Sequence, residues 1–324
     1  MNSICNITTI GGGTGSTNVL LGLKHLQQAN LAAIVTSSDS GGSTGELRDE
    51  FGILPPGDAR RAIAALAKDT ERVRKMFEHR FDKSRMKGHT IGNLLLTGLA
   101  EMTGSFEEAV DVLSEMFDVR GKVIPVTLDD TQLCVELIDG QKIIGETNID
   151  VPKHDGNLRI KKAYLTGGGV LNPRAKEAIL HSDFVVIGPG DLYTSIVPNL
   201  LTVGMQEALQ QTKAKIIYVC NIMTKHGETN GFEVQDFVDV VEQYIGKDIL
   251  DFVLVHTGGI PDNLAEKYFQ TENKFPVILS DLHRKNPQGY TIIERDLASE
   301  HDYVRHDPKK LGRVMQDFLE GWIK

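Results

Sequence analysis

The chain has 324 residues, 40% hydrophobic and 24% charged, with a formal net charge of -9. That is the make-up of a folded protein with a sizeable core; it excludes disorder, and the acidic balance excludes non-specific nucleic-acid binding, which needs a basic surface to release counterions. No apolar run reaches the roughly 18 residues that span a bilayer, and Met1-Asn2-Ser3-Ile4-Cys5 leads straight into strand, so no membrane partner and a cytoplasmic location are expected.

Near the start, Thr8-Thr9-Ile10 breaks into Gly11-Gly12-Gly13-Thr14-Gly15-Ser16-Thr17 and resumes as helix. Val19, Leu20, Leu23 and Leu26 share one helix face, with Gly22 available for close contact with a sheet. Strand, glycine turn and helix in that order offer backbone N–H groups and a helix dipole to a phosphate. The spacing does not close as G-x-G-x-x-G, because its third position is Ser16, and no Gly-Lys-Ser or Gly-Lys-Thr follows to make a P-loop. Taken alone, such a turn reads as a tight bend.

Leu31–Thr36 is a buried strand that completes a parallel βαβ unit. Where an NAD-binding unit would place one acidic residue for the ribose, the chain has Ser37-Ser38-Asp39-Ser40-Gly41-Gly42-Ser43-Thr44-Gly45, a second glycine loop. Asp39 reads equally as a ligand-facing carboxylate and as an N-cap or turn residue. Leu54-Pro55-Pro56-Gly57-Asp58 is a rigid bend that delivers Asp58, Arg60 and Arg61 to a helix start, where Asp58 suits an N-cap and the arginines suit an anion. A helical insertion is expected over about 58–118, amphipathic through Val73, Met76 and Phe77 and through Phe106, Ala109, Val110, Leu113 and Phe117. Within it, His89 and Asn93 serve equally as capping groups or ligands.

From Lys122 to Glu146 the period falls to two, and the alternation around Asp139-Gly140 predicts a β-hairpin appendage at about 122–147. Asn148–Arg159 reads as a surface loop. Lys162–Leu165 is strand, followed by Gly167-Gly168-Gly169, and Asn172 with Pro173 opens a helix. Asp183–Ile187 runs into Gly188-Pro189-Gly190-Asp191-Leu192-Tyr193-Thr194-Ser195, the second strong candidate for a phosphate loop. Strand Ile216–Cys220 leads to a polar loop holding Asn221 and Lys225. Phe252–Val255 precedes His256-Thr257-Gly258-Gly259. The last helix is capped by Asp307 and buries Leu311, Val314, Met315, Phe318, Leu319 and Trp322. Cys5, Cys134 and Cys220 read as core residues, without disulfide or zinc spacing.

Six apolar strands, ending near Ile10, Thr36, Leu165, Ile187, Cys220 and Val255, each run into a glycine-rich or polar loop. In an open parallel sheet such loops gather at the carboxyl edge, where ligands bind. The expected architecture is α/β: a doubly wound, mostly parallel, Rossmann-like sheet with a helical insertion and a β-hairpin appendage, one domain over 1–324. Its expected ligand is phosphorylated and nucleotide-like.

Five ordered motifs carry a resemblance: Gly11-Gly12-Gly13-Thr14-Gly15, Asp39-Ser40-Gly41-Gly42-Ser43-Thr44-Gly45, Pro55-Pro56-Gly57-Asp58, Gly92-Asn93, and Gly188-Pro189-Gly190-Asp191-Leu192-Tyr193-Thr194-Ser195. Together they resemble the CofD/YvcK family over nearly the whole chain. Within it the sequence resembles the bacterial gluconeogenesis-factor branch more than the 2-phospho-lactate transferases, whose loop after the corresponding strand is Ser-Asn-Pro-like. The resemblance implies binding of UDP-sugars, above all UDP-N-acetylglucosamine. It also implies a role in cell shape and envelope-precursor supply during gluconeogenic growth, with an enzyme of amino-sugar synthesis as partner and a homo-oligomer left open. For the transferase branch it implies Asp39 and Asp58 as ligands of a magnesium ion bridging phosphates, with Arg60 or Lys225 offsetting charge. A magnesium-dependent phosphoryl or phosphonucleotidyl transferase is therefore the alternative. A dehydrogenase is disfavoured by the broken glycine fingerprint, although a dinucleotide fits such a crevice without redox chemistry. No catalytic residue and no certain cofactor is assigned.

Overall fold

The computed structural model describes residues 4–285, 287, 289–299 and 304–321. Met1-Asn2-Ser3 and Trp322 lie outside the described residues. The chain opens with β1 (Cys5–Gly11), α1 (Gly13–Leu23) and β2 (Ala29–Val35), the parallel βαβ unit expected from its apolar runs. Five helices follow before the next strand: α2 (Gly42–Phe51), α3 (Gly57–Leu66), α4 (Thr70–Glu78), α5 (Ile91–Thr103) and α6 (Phe106–Met116). After β3 (Lys122–Pro125) come β4 (Gln132–Leu137), β5 (Lys142–Ile144), α7 (Glu146–Asp150) and β6 (Ile160–Thr166). The remainder alternates: α8 (Pro173–Leu180), β7 (Phe184–Ile187), α9 (Val197–Leu200), α10 (Met205–Gln211), β8 (Lys215–Val219), α11 (Val234–Ile245), β9 (Phe252–His256), α12 (Asp262–Glu272), α13 (Asp281–Lys285), β10 (Thr291–Arg295) and α14 (Pro308–Leu319).

Seven strands form one sheet in the order β10-β9-β8-β7-β1-β2-β3, every pair parallel. The chain leaves β1 toward β2 and returns on its other side as β7, so the strand order reverses at β1. Side chains alternate between two cores, as the pleat requires. Val186, Ile217, Val219, Phe252 and Leu254 pack with α1, α3 and α14 on one face. Val185, Ile187, Ile216, Tyr218, Val253 and Val255 pack on the other with α8, α10, α11 and the small sheet. Among the described residues no helix is long and apolar enough to cross a membrane.

The structure corrects two assignments made from periodicity. The strand ending near Leu165 is β6, which pairs antiparallel with β4 in a three-stranded sheet ordered β5-β4-β6, so its glycine turn is not on the parallel edge. Conversely, Lys122–Pro125 is not part of the hairpin; it pairs parallel with β2 and closes one side of the main sheet, leaving β4 and β5 as the hairpin. Period-two alternation reports one buried face and says nothing about which strand lies alongside.

Gly22 also differs from expectation, since it meets a helix and not the sheet. A Cβ there would run into the Pro308 carbonyl oxygen and lie 3.0 Å from the Gly312 amide nitrogen, so α1 and α14 cross backbone to backbone. Neither contact atom can swing aside. Gly22→Ala is therefore expected to cost about 1–3 kcal/mol through overpacking; urea unfolding reads this as a lower midpoint, and an unchanged midpoint would refute the close crossing.

Candidate functional site

The two glycine turns at the reversal point face one another. The Gly188 amide donates to the Ile10 carbonyl at 2.9 Å, and Gly15 lies so close to the Pro189 carbonyl that no side chain fits between them. Asn221, at the end of β8, donates its amide to the Gly190 carbonyl at 2.8 Å, which leaves its buried Oδ1 without a partner. Around this seam open two chambers of about 260 Å³ and 420 Å³. Gly13, Thr14, Asp191 and Ser195 border both. Gly15, Gly190 and Asn221 border the smaller, with Tyr268, Lys274 and His306. Asp39, Gly41, Gly42, Ser43, Thr44, Asp58, Arg60, Asn93 and Thr194 border the larger.

Helix starts converge on the larger chamber. α1 begins at Gly13, whose φ of +67° suits glycine, and α2 begins at Gly42; neither has a side-chain cap. Apart from the Gly13 and Thr44 amides, which go to Asp58 and to the Gly41 carbonyl, their first-turn amides are the groups an anion would meet. Asp58 is not the N-cap of α3, which is Pro56; it sits buried in the first turn and accepts from the Gly13 amide at 2.9 Å and from Arg61 at 2.7 Å. Asp39 is not an N-cap either: it folds back onto the Gly41 amide at 2.9 Å. Asn93 leaves capping of α5 to Thr90 and donates to Ser43 at 3.1 Å, its Oδ1 unpartnered. His89 braces the same Ser43 at 3.0 Å.

Three acidic groups escaped sequence reasoning: Glu146 and Asp150, which border the larger chamber, and Glu228, which lies behind its wall. Glu146, in α7, shares the chamber with Asp39 and Asp58. Burial, then Asp39 and Asp150, push its carboxyl up to about 8, and burial with the Asp58 charge raises Asp39. Asp150, Asp191 and Glu228 bring carboxylate oxygens within 4.8 Å of one another, and Lys225 binds Asp150 at 2.8 Å and Asp191 at 3.5 Å. Burial opposes its charge, yet Asp191 and Asp150 hold the Lys225 ammonium above its usual range. Glu228 in turn accepts from the Tyr193 amide at 2.9 Å and the Thr194 hydroxyl at 3.0 Å. No local pattern marks Glu146 or Glu228; both come to the site through distant chain segments.

Six expected contact residues border neither chamber. Tyr193 is buried in the core, Lys225 is committed to carboxylates, and Ser40 bonds Thr147. Gly11, Gly12 and Gly188 lie behind the turns, their backbones packed on Ser16, Asp58 and Ile196.

Comparison with known proteins matches residues 7–298 to the family model described as 2-phospho-L-lactate transferase CofD. The chain is 38% identical to a gluconeogenesis factor of Bacillus subtilis, covering 97% of this chain and 98% of that one. It is 41% identical to a putative gluconeogenesis factor of a Nostoc species, covering 97% of this chain and 69% of the relative. A crystal structure of a UPF0052 family member from Bacillus halodurans superposes with a TM-score of 0.90 at 38% identity, covering 96% and 99% of the two chains.

The Glu146 carboxyl makes stability depend on pH. Its pKa in the folded chain lies above the ordinary 4.5, so its stabilising contribution is complete below 4.5 and is lost as pH rises through about 8. Urea unfolding at pH 5, 7 and 9 should show the wild type losing stability relative to Glu146→Gln across this range; parallel profiles would show that Glu146 ionises normally.

Proposed function

The chain belongs to the CofD family, in its gluconeogenesis-factor group, and from that premise we propose that it binds a nucleotide sugar of the UDP-N-acetylglucosamine kind and acts as a regulator during gluconeogenic growth. The observation that carries this reading is the shared wall of Gly13, Thr14, Asp191 and Ser195 between two chambers. A diphosphate lies across that wall, against the first-turn amides of α1 and α2. The smaller chamber takes the nucleoside, where the unpartnered Asn221 Oδ1 suits a base N–H. The larger takes the sugar, whose hydroxyl and amide groups match Asn93 and Ser43. Regulation of cell shape, through an enzyme of amino-sugar synthesis that senses the bound form, belongs to the same proposal.

A second reading, metal-assisted phosphoryl transfer, is favoured by one feature. Half-buried Asp39 and buried Asp58 are hard-oxygen donors on one wall, and burial with the charge of Asp58 raises Asp39, so a cation between them relieves repulsion. This donor set fits magnesium, held by Asp39 and Asp58 with phosphate and water completing its shell. Bound there, the ion would neutralise phosphate charge. Arg61 keeps Asp58 oriented, and the Gly13 amide fixes the carboxylate against the turn.

Isothermal titration with UDP-N-acetylglucosamine should give one site per chain, and Asn221→Ala should weaken it about tenfold, near 1.4 kcal/mol. A titration without heat at saturating protein sinks the nucleotide-sugar reading. Magnesium should tighten nucleotide-sugar binding about tenfold in the wild type and leave Asp39→Asn unaffected; an equal gain in both would remove Asp39 from the metal reading.

A further inference from the structure

A third cavity, of about 340 Å³, opens on the outer side of α1 and is lined by Arg60, Arg61, Arg74, Arg305 and Glu78 among others. Its charge is opposite in sense to that of the larger chamber, where five carboxylates face three arginines. Here four arginines face one carboxylate, Glu78, which pairs with Arg74 at 2.9 Å, and Arg61 is paired with Asp58 across the wall at 2.7 Å. Thr14, Arg60 and Arg61 border both spaces, so the two are neighbours across a wall of guanidinium groups.

Arg60 is the informative member. It is only 6% exposed, and its stem threads past Gly92, where a Cβ would lie 2.6 Å from the Arg60 Cδ. It donates to the Phe77 carbonyl at 3.3 Å, its Nε has no partner, and among the described residues it pairs with no carboxylate. A buried guanidinium with no carboxylate in contact carries a desolvation cost that no direct ion pair offsets. Burial and then Arg61 push Arg60 down to about 10, against the opposing charges of Glu78 and Asp58. A ligand anion offsets that cost.

We propose that this cavity is a second, anion-selective site that takes a small phosphomonoester and is coupled to the crevice through Arg60 and Arg61. Guanidinium forks match phosphate oxygens in pairs, and arginine holds its charge at any physiological pH. The volume suits a small phosphorylated metabolite and is too small for a nucleotide sugar. Arg61 carries the coupling, because it already binds Asp58, which holds the Gly13 amide of the glycine turn. An anion that draws on Arg61 competes with Asp58, so occupancy of either site alters the other's affinity.

The test is isothermal titration of the full chain with glycerol 3-phosphate, alone and with UDP-N-acetylglucosamine present. It is repeated with Arg74→Met, which borders this cavity but neither crevice chamber and whose side chain is 56% exposed. One equivalent of glycerol 3-phosphate should bind with or without the nucleotide sugar. Arg74→Met should weaken it about tenfold or more and leave nucleotide-sugar affinity within about twofold. The proposal is overturned by an absence of binding, by an unchanged affinity in Arg74→Met, or by an apparent Kd that climbs in proportion to nucleotide-sugar concentration. The first arm needs no nucleotide sugar, so failure of the nucleotide-sugar reading leaves this test standing.

Discussion

The contact on which the crevice depends is that between the Asp58 carboxylate and the Gly13 amide. Asp58 is buried, and a buried carboxylate is tolerable only when donors surround it. Here the donors are the first amide of α1 and the guanidinium of Arg61. One end of the helical insertion is thereby bolted to the turn after β1. The glycine turn is held open from behind, and α3 is oriented so that Arg60 and Arg61 stand between the crevice and the arginine-lined cavity. Charge-assisted hydrogen bonds of this kind are stronger than neutral ones and keep their direction.

The larger chamber combines features that pull in opposite directions. Open helix starts favour anions, yet Asp39, Asp58, Glu146, Asp150 and Asp191 stand on the same walls. The chain answers this in two places with its own cations: Arg61 on Asp58, and Lys225 among Asp150, Asp191 and Glu228. Lys225 bridges two members, Asp150 and Asp191, of a carboxylate set whose spacing would otherwise suit a metal ion. That arrangement leaves Asp39 and Glu146 as the carboxyls whose charge is least compensated, which is why burial and neighbouring negative charge move both upward.

The small antiparallel sheet completes the site in addition to extending the fold. β4 and β5 lead directly into α7, whose Glu146 and Asp150 line the chamber, and Thr147 ties α7 to Ser40 in the loop after β2. Asp150 then reaches Lys225 from the β8 side. Three segments more than 70 residues apart in sequence thus close one wall, and each contributes through a polar group whose partner comes from another segment.

Local chemistry determined much of this protein. Glycine turns after apolar strands, the Asn172–Pro173 and Asp307 helix starts and the Asp139-Gly140 hairpin follow from short-range rules of backbone freedom and capping, and each stands in the structure as those rules require. The motifs after Ile10, Thr36 and Ile187 were legible for the same reason, and they meet in one crevice. Strand partnership was not legible. Lys122–Pro125 and Thr291–Arg295 join the parallel sheet and Ile160–Thr166 leaves it, because alternation records burial and not the neighbour that provides it. The same limit hid the roles of Asp58, Glu146, Lys225 and Glu228. Each is an ordinary polar residue in a loop or first turn until long-range packing removes water and supplies its partner, and only then does its charge acquire a place in the site.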